Sequence, residues 1–502
     1  MINQSLLRQS RYQPKSRAIS VPAPVGGWNT RDALADMPED DAVNLDNWFP
    51  TVGKCEVRPG YAEHATGIGS GDVESLFEFH AEGNQKLIAC GNGNIYDATS
   101  LGAASSLGSG FTEDKWQGVN FSGYIHLVNG ADTGQLYDGT TLADMTWTGS
   151  GFTLANMDGI QSHKHRLYLW DTSTQDFWYG GVDGITGTMT KFPLSRVTQL
   201  GGNLIAMVSW SLDNGAGIDD LAAFVMSSGQ IVVYSGADPG DAADWSLVGV
   251  FNIGEPMNKR GFVSTAGDAV ITTTSDYVSM SEVLRDGQIG TASKLSGAVM
   301  DASANKSLDG WQSVLWKRGH MIVFNVPNSD ATYDQHVINT ITGAATRFKD
   351  IPARCWSVFD TDLYFGSGDG NVYKITGADD GGTDIQANAE QAWNDFNTPQ
   401  TKRLCAHRPI LETQGDISYE IGTGFDFRRA LTPAATATVG SGSEWDAAEW
   451  DVAPWSAENQ VDVNWRIAAG VGQNLSTRLR VSAQQAIAWL RTDYRIEVGT
   501  NL

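Results

Sequence analysis

Three small constellations in this 502-residue chain have the residue types and spacing of reactive or ligand-holding sites. His163 and His165 flank Lys164, so on an extended strand both imidazoles would leave from one face, a geometry that can hold zinc. No third ligand stands at suitable spacing, and a plain surface pair is the other reading. Asp379, Asp380 and Asp384, broken by Gly381 and Gly382, place carboxylates on a flexible turn. That turn suits calcium, or is a solvated loop or linker. Ser211, Asp213 and Gly215 satisfy the first half of the S-x-D-x-G-x-x-W turn of glycan-cleaving proteins, with Ile218 where Trp is required. Ser367 and Asp369 begin a second such stretch, with Asn371 in place of its Gly. Half-matches of this kind are expected noise in a Gly-rich chain. No G-x-S-x-G elbow, GxxxxGK[ST] loop, HExxH or EF-hand loop occurs, which removes the commonest hydrolase, phosphate and metal signatures. With 58 Asp and Glu, no one pair is singled out as general acid and base at the ~5 to 9 Å that glycoside cleavage needs. The expectation is a chain without catalytic residues, cofactor or metal.

The elements that would position such groups recur along most of the chain. An apolar strand, a Gly/Ser/Asn/Asp turn and a second strand bearing an aromatic appear as KLIACGNGNIYDA (86–98), YIHLVNGADTGQLYDG (124–139), LAAFVMSSGQIVVYSG (221–236), AVITTTSDYVSM (269–280) and DLYFGSGDGNVYKITG (362–377). The aromatic marks are Tyr96, Tyr137, Tyr234, Tyr277, Phe324 and Tyr373. Where adjacent they lie 41 to 49 residues apart, the period of propeller blades. Between Tyr137 and Tyr234 there is room for one more unit, with RLYLW (166–170) as its best strand. A hairpin buries one apolar row only when stacked on another, and stacking around an axis also protects its edges. The predicted fold is all-β: a β-propeller of repeated antiparallel hairpin blades over 76–389 and a β-sandwich-like domain over 390–502. A basic arm, 1–20, and an irregular lead-in, 21–75, precede them. A sandwich or barrel array is the rival architecture.

Composition fits that class and limits function. Glycine is 56 of 502 residues and charged residues are only 18%, against ~25% in ordinary domains. The formal charge of −24 excludes the broad basic surface of a nucleic-acid binder, although an acidic wall lets DNA pass without holding it. Arg8, Arg11, Lys15 and Arg17 make the first 20 residues basic, which reads either as an arm docking on an acidic partner or as a solvated terminus. Trp445, Trp450 and Trp455 recur every five residues, a spacing of neither strand nor helix. They are interface anchors whose indoles fill successive pockets, or buried anchors of a surface turn. No apolar run reaches the ~20 residues of a membrane span, and the first residues lack a secretory core, so folding is expected in the compartment of synthesis. Cys55, Cys90, Cys355 and Cys405 have neither metal spacing nor disulfide density.

The lead-in carries a family resemblance. Gly26, Gly27, Asn29, Arg31 and Asp32, then Leu45, Asp46, Asn47 and Pro50, then Arg58, Gly60 and Tyr61, form a GG-x-N-x-R-D, L-D-N-x-x-P, R-x-G-Y series. This resembles the N-terminal signature of the tail nozzle, tail tubular protein B-like and DNA-stabilisation-type structural proteins of short-tailed bacteriophages. The Trp-Asp stretch at 445–455 and NWRIAAGVG resemble the C-terminal part of such proteins. The resemblance implies a virion tail protein without an active site. It would form a ring homo-oligomer, a hexamer, below the portal adaptor, meet tail fibre or needle proteins, and pass DNA without sequence-specific binding or membrane insertion. The lead-in and C-terminal domain would form the adaptor-proximal platform, and blade loops would narrow the channel. The alternative is a carbohydrate-binding or glycoside-cleaving propeller.

Overall fold

The computed structural model describes residues 16–213, 218–265, 267–287, 290, 292–329, 331–414, 417–429, 434–437 and 460–499. The chain is nearly all β, in two compact units. One comprises Asn29–Arg31 and Arg58–Thr383; the other comprises Met1–Trp28, Asp32–Val57 and Asp384–Leu502.

The first unit is a β-propeller. Six small sheets are successive meanders, and a further four-stranded meander, from Gln312–Trp316 to Ala345–Phe348, follows the three-stranded one. Their first strands are Val73–Ala81, Gln117–Phe121, Gly159–His163, Leu204–Asp213, Phe262–Ser264, Gln312–Trp316 and Ala353–Phe359. Each touches the next and the last touches the first, so they close a cycle of seven, numbered here as blades 1 to 7. The hairpins seen in the sequence are the second and third strands of these blades. In blade 1 these are Asn84–Gly91 and Asn94–Asp97, joined by Asn92 and Gly93, both at positive φ as a tight two-residue turn requires.

Hydrophobic clusters straddle neighbouring blades rather than filling one. Phe79, Ile88 and Ile95 of blade 1 pack with Trp116, Ile125, Leu127 and Tyr137 at blade 2; Ala206, Val225 and Val233 of blade 4 pack with Ile271 and Val278 of blade 5. This places the recurrent aromatic: Tyr137, on a third strand, meets Phe79 of the preceding blade edge-on at 5.2 Å, and Tyr234 meets Phe192 likewise at 5.8 Å. The missing mark is Tyr179, on the third strand Asp176–Tyr179 of blade 3, for which RLYLW is the second strand. Phe324 departs from the series, lying on a second strand; the third strand of blade 6 has His336 there, bonded through Nδ1 to the Tyr277 hydroxyl at 2.8 Å.

The other unit is a β-sandwich. Ser16–Pro22, Ile487–Val498 and Lys402–Thr413 lie side by side in one sheet, with Gln460–Asp462 and Arg466–Gly472 beyond Lys402–Thr413. Asp41–Asp46, Ile385–Gln391, Leu475–Ala483 and Ile417–Phe425 run in the other. Val21, Leu404, Leu475, Tyr494 and Ile496 fill the space between, and the Tyr494 hydroxyl bonds Thr477 Oγ1 at 2.6 Å. The lead-in expected to be irregular is rich in strands: Trp48–Thr51 and Lys54–Val57 form a local hairpin, while Asp41–Asp46 and Tyr61–Thr66 pair with partners more than 300 residues away, which no local pattern reveals.

Candidate functional site

A polar cluster joins opposite sides of the propeller where the first strands begin. Asn258, Lys259 and Arg260 immediately precede blade 5. Arg260 donates through Nη1 to the Glu74 carbonyl at 2.8 Å and through Nη2 to Ser75 Oγ at 2.6 Å and the Trp116 carbonyl. Those acceptors belong to blades 1 and 2, which are not neighbours of blade 5, so the guanidinium crosses the bore. Lys259 Nζ reaches Asp158, before blade 3, at 3.4 Å, and Asn258 Nδ2 donates to the Trp311 carbonyl, before blade 6, at 2.8 Å. Lys115 and Asp309 form a second cross-axis pair at 2.8 Å, and Arg354 binds Asp72 at 2.9 Å beside Glu74 at 3.9 Å.

The electrostatics are those of a lock. Burial raises the Glu74 carboxyl, with Lys115 and Arg354 opposing, and lowers the Lys259 ammonium, with Asp158 opposing. Burial lifts Tyr333, whose ring lies 5.9 Å from the Arg354 guanidinium carbon, to about 12. Charges out of water are tolerated because each has acceptors or a counter-ion. The donors of Asn258, Lys259 and Arg260 are committed to carbonyls, to Ser75 Oγ and to Asp158, which ties this loop to blades across the ring.

A second polar cluster closes the ring of blades. The outer strand of blade 7 is not contiguous with the rest: it is Tyr61–Thr66, antiparallel to Val372–Ile375, with Ile375 opposite Tyr61 and Val372 opposite Ala65. Beside it, the buried Arg58 guanidinium forks onto Asp380, Nη1 to Oδ1 at 2.8 Å and Nη2 to Oδ2 at 2.7 Å. It also donates to the Pro59 and Lys349 carbonyls, each at 3.0 Å. A Cβ on Gly60 would lie 1.8 Å from the Asp379 carbonyl oxygen, so only glycine fits.

The residues singled out in the sequence separate accordingly. The acidic trio does not converge: Asp380 is the partner of Arg58, Asp379 Oδ1 accepts from the Gly382 amide at 2.6 Å, and Asp384 accepts from Ser482 Oγ at 2.5 Å. Among the described residues no group of three or more His, Cys, Asp or Glu could hold a metal ion. His163 and His165 do not share a face, because Lys164 and His165 have φ of 42° and 60° and form the turn between two strands. His163 is buried, bonding Ser209 Oγ at 2.7 Å and the Gly236 carbonyl at 3.2 Å; His165 is exposed and meets Asp183 at 3.0 Å.

In the half-matches, Asp369 accepts from the Tyr373 hydroxyl at 2.6 Å, while the Ser211, Asp213 and Ile218 side chains and Gly215 lie outside what is described. Arg8, Arg11, Lys15, Trp445, Trp450 and Trp455 also lie outside the described residues. Arg17 is exposed on the strand Ser16–Pro22, paired with Ile496. The lead-in motif has structural roles: Asn47, at φ 59°, donates to the Gln386 carbonyl at 2.9 Å, and Arg31 Nη1 donates to Ala292 at 2.9 Å. Sequence reading missed the axial lock, for which Asn258-Lys259-Arg260 gives no motif.

No family model and no curated protein matches the chain. Among solved structures it is similar to PorZ, a bacterial surface component of the type-IX secretion system of Porphyromonas gingivalis, at a TM-score of 0.40 and 10% identity, over 80% of this chain and 60% of that one. It is also similar to BBS1N solved in complex with ARL6DN (TM-score 0.41, 8% identity, 64% and 99%) and to YCF48 from Cyanidioschyzon merolae (0.27, 7%, 58% and 79%). The chain spans about 60% of the length of PorZ. At these identities and scores the likeness carries no argument about activity or partners. No described helix is long and apolar enough to cross a membrane.

Proposed function

We propose that the chain is a structural subunit of a short phage tail. Copies form a ring-shaped nozzle below the portal adaptor, which closes the channel after packaging and lets the genome pass during ejection. The observation that carries this reading is the placement of the signature residues. Arg58, Gly60 and Tyr61 are the closure of the propeller, and Thr30 and Arg31 strap the loop before the helix Ser296–Ala302. A motif spent on locking a ring of blades suits a part that must stay rigid under load.

The axial lock supports the same reading from another side. A bore crossed by Arg260 and Lys259 leaves a polymer no route through one subunit, so the genome path runs along the axis of the assembled ring. The propeller unit has 19 basic and 36 acidic residues, a surface that repels DNA rather than gripping it. The adaptor, fibre or needle proteins and the virion location belong to this proposal. Heads packaged without the chain should lose their DNA to nuclease, and adding the purified chain should restore retention. Equal retention with and without it would overturn the reading.

A further inference from the structure

The segment at the open edge of the sandwich, the strands Gln460–Asp462 and Arg466–Gly472 with the three residues that join them, carries its alternation backwards. Val461, Val463, Trp465, Ile467, Ala469 and Val471 share one parity, and all point to solvent. Ile467 is 95% exposed, Val471 60% and Val463 49%. The inward parity has the small or polar residues: Asp462 accepts from the Tyr419 hydroxyl at 2.9 Å, Arg466 donates to that hydroxyl, and Gly470 faces Phe425 so closely that a Cβ would lie 2.1 Å from its ring. A strand that buries its polar side and shows its apolar side is built for a partner. Among the described residues Arg466–Gly472 pairs only with Lys402–Thr413, leaving its other edge of amides and carbonyls open. Cations border the row: Arg403, 69% exposed, is opposite Val471, and the Arg408 guanidinium lies 4.5 Å over the Trp465 ring.

The same chain presents the complementary edge. Residues 197–258, which contain all of blade 4, have seven Asp or Glu and no Lys or Arg. The outer strand of that blade, Ser246–Asn252, exposes Leu247 and Val248 at 45% and 48%, and among the described residues it pairs only with Gln230–Ser235. By contrast, the outer strand of blade 3 is partly covered by Trp147–Gly149 and that of blade 7 by Gly102–Ala103.

We propose that the sandwich edge Arg466–Gly472 of one copy docks on the blade 4 edge Ser246–Asn252 of a second copy, by strand addition with apolar contact and Arg-to-carboxylate attraction. This rests on the reading of the chain as a ring subunit and supplies its contact. Two different patches meet, so the contact is heterologous and repeats into a ring when its rotation closes.

The test uses full-length chain and two half-variants, I467D/V471D and L247R/V248R, all at exposed positions, with thermal melts to confirm that each folds. In sedimentation, under conditions where the wild type forms a ring alone or with adaptor, each half-variant should run as a monomer. An equimolar mixture should give a complex of about twice the monomer mass, because one intact contact remains between the two. Either variant assembling as the wild type does would overturn the proposal, as would a mixture that stays monomeric. Loss of adaptor binding alone, with self-assembly intact, would overturn it too and assign the edge to the adaptor. A wild-type chain that stays monomeric even with adaptor would instead sink the ring reading beneath it.

Discussion

At the Arg58 guanidinium, one residue fixes the ends of a propeller by binding a carboxylate 322 residues away. Arg58→Ala should leave Asp380 buried and unpaired, costing about 3–5 kcal/mol, and Arg58→Lys should not rescue it, because an ammonium cannot fork onto both oxygens. Thermal melts check this; unchanged stability in R58A would contradict the clamp. Gly60→Ala should fail similarly, through collision with the Asp379 carbonyl. Arg260→Ala removes three hydrogen bonds that cross the ring, and should cost a few kcal/mol by the same melts. The R-x-G-Y run was visible in the sequence, but its purpose was not, since its partner Asp380 sat within an acidic trio that suggested calcium. Three buried imidazoles add a pH dependence. Burial lowers His126 to about 4, His336 to about 3 and His407 to about 4, whereas the unfolded rings titrate near 6.5. The unfolded chain therefore takes up protons first, and stability that is full above about pH 6.5 is lost as pH falls toward 4. Melting temperature should drop over that window, less steeply in His126→Phe; a flat profile in the wild type would contradict it.

At the scale of elements, hairpin periodicity made the blades legible, because alternation within a strand and a glycine turn are local properties. It caught second and third strands, whose aromatics wedge against the preceding blade, as Tyr137 does on Phe79. It placed blade 3 through its second strand RLYLW but missed that blade's aromatic mark Tyr179, because Trp178 and Tyr179 follow Phe177 and blur the alternation, and it misassigned Phe324. It could not find the outer strand of blade 7, whose hydrogen bonds join Tyr61–Thr66 to Val372–Ile375 across the length of the propeller. Hydrogen exchange tests that closure. The amides of Tyr61–Thr66 bonded to blade 7 should exchange as slowly as those of Asp362–Ser367, because opening this strand opens the ring. Rapid exchange confined to Tyr61–Thr66 would mean that the ring is shut by packing alone. The His163 and His165 pair failed for a related reason: the sequence cannot distinguish a strand from a two-residue turn when both carry polar residues.

At the scale of the whole molecule, the charge is unevenly divided. The propeller unit has 36 acidic residues against 19 basic, and the rest of the chain 22 against 15. The fold class was readable from composition and period, and the absence of catalytic signatures followed from the sequence alone. The locked bore was not readable, because it depends on which blades face each other across an axis. That lock redirects the functional argument: a propeller crossed by its own cations is a wall, and a channel has to be made from several walls. Native mass of the purified chain, alone and with a candidate portal adaptor, followed by negative-stain images of what assembles, tests the proposed ring most directly. The account expects a closed ring of several copies with an open axial channel and no opening through any one propeller. A chain that stays monomeric with the adaptor present would contradict it.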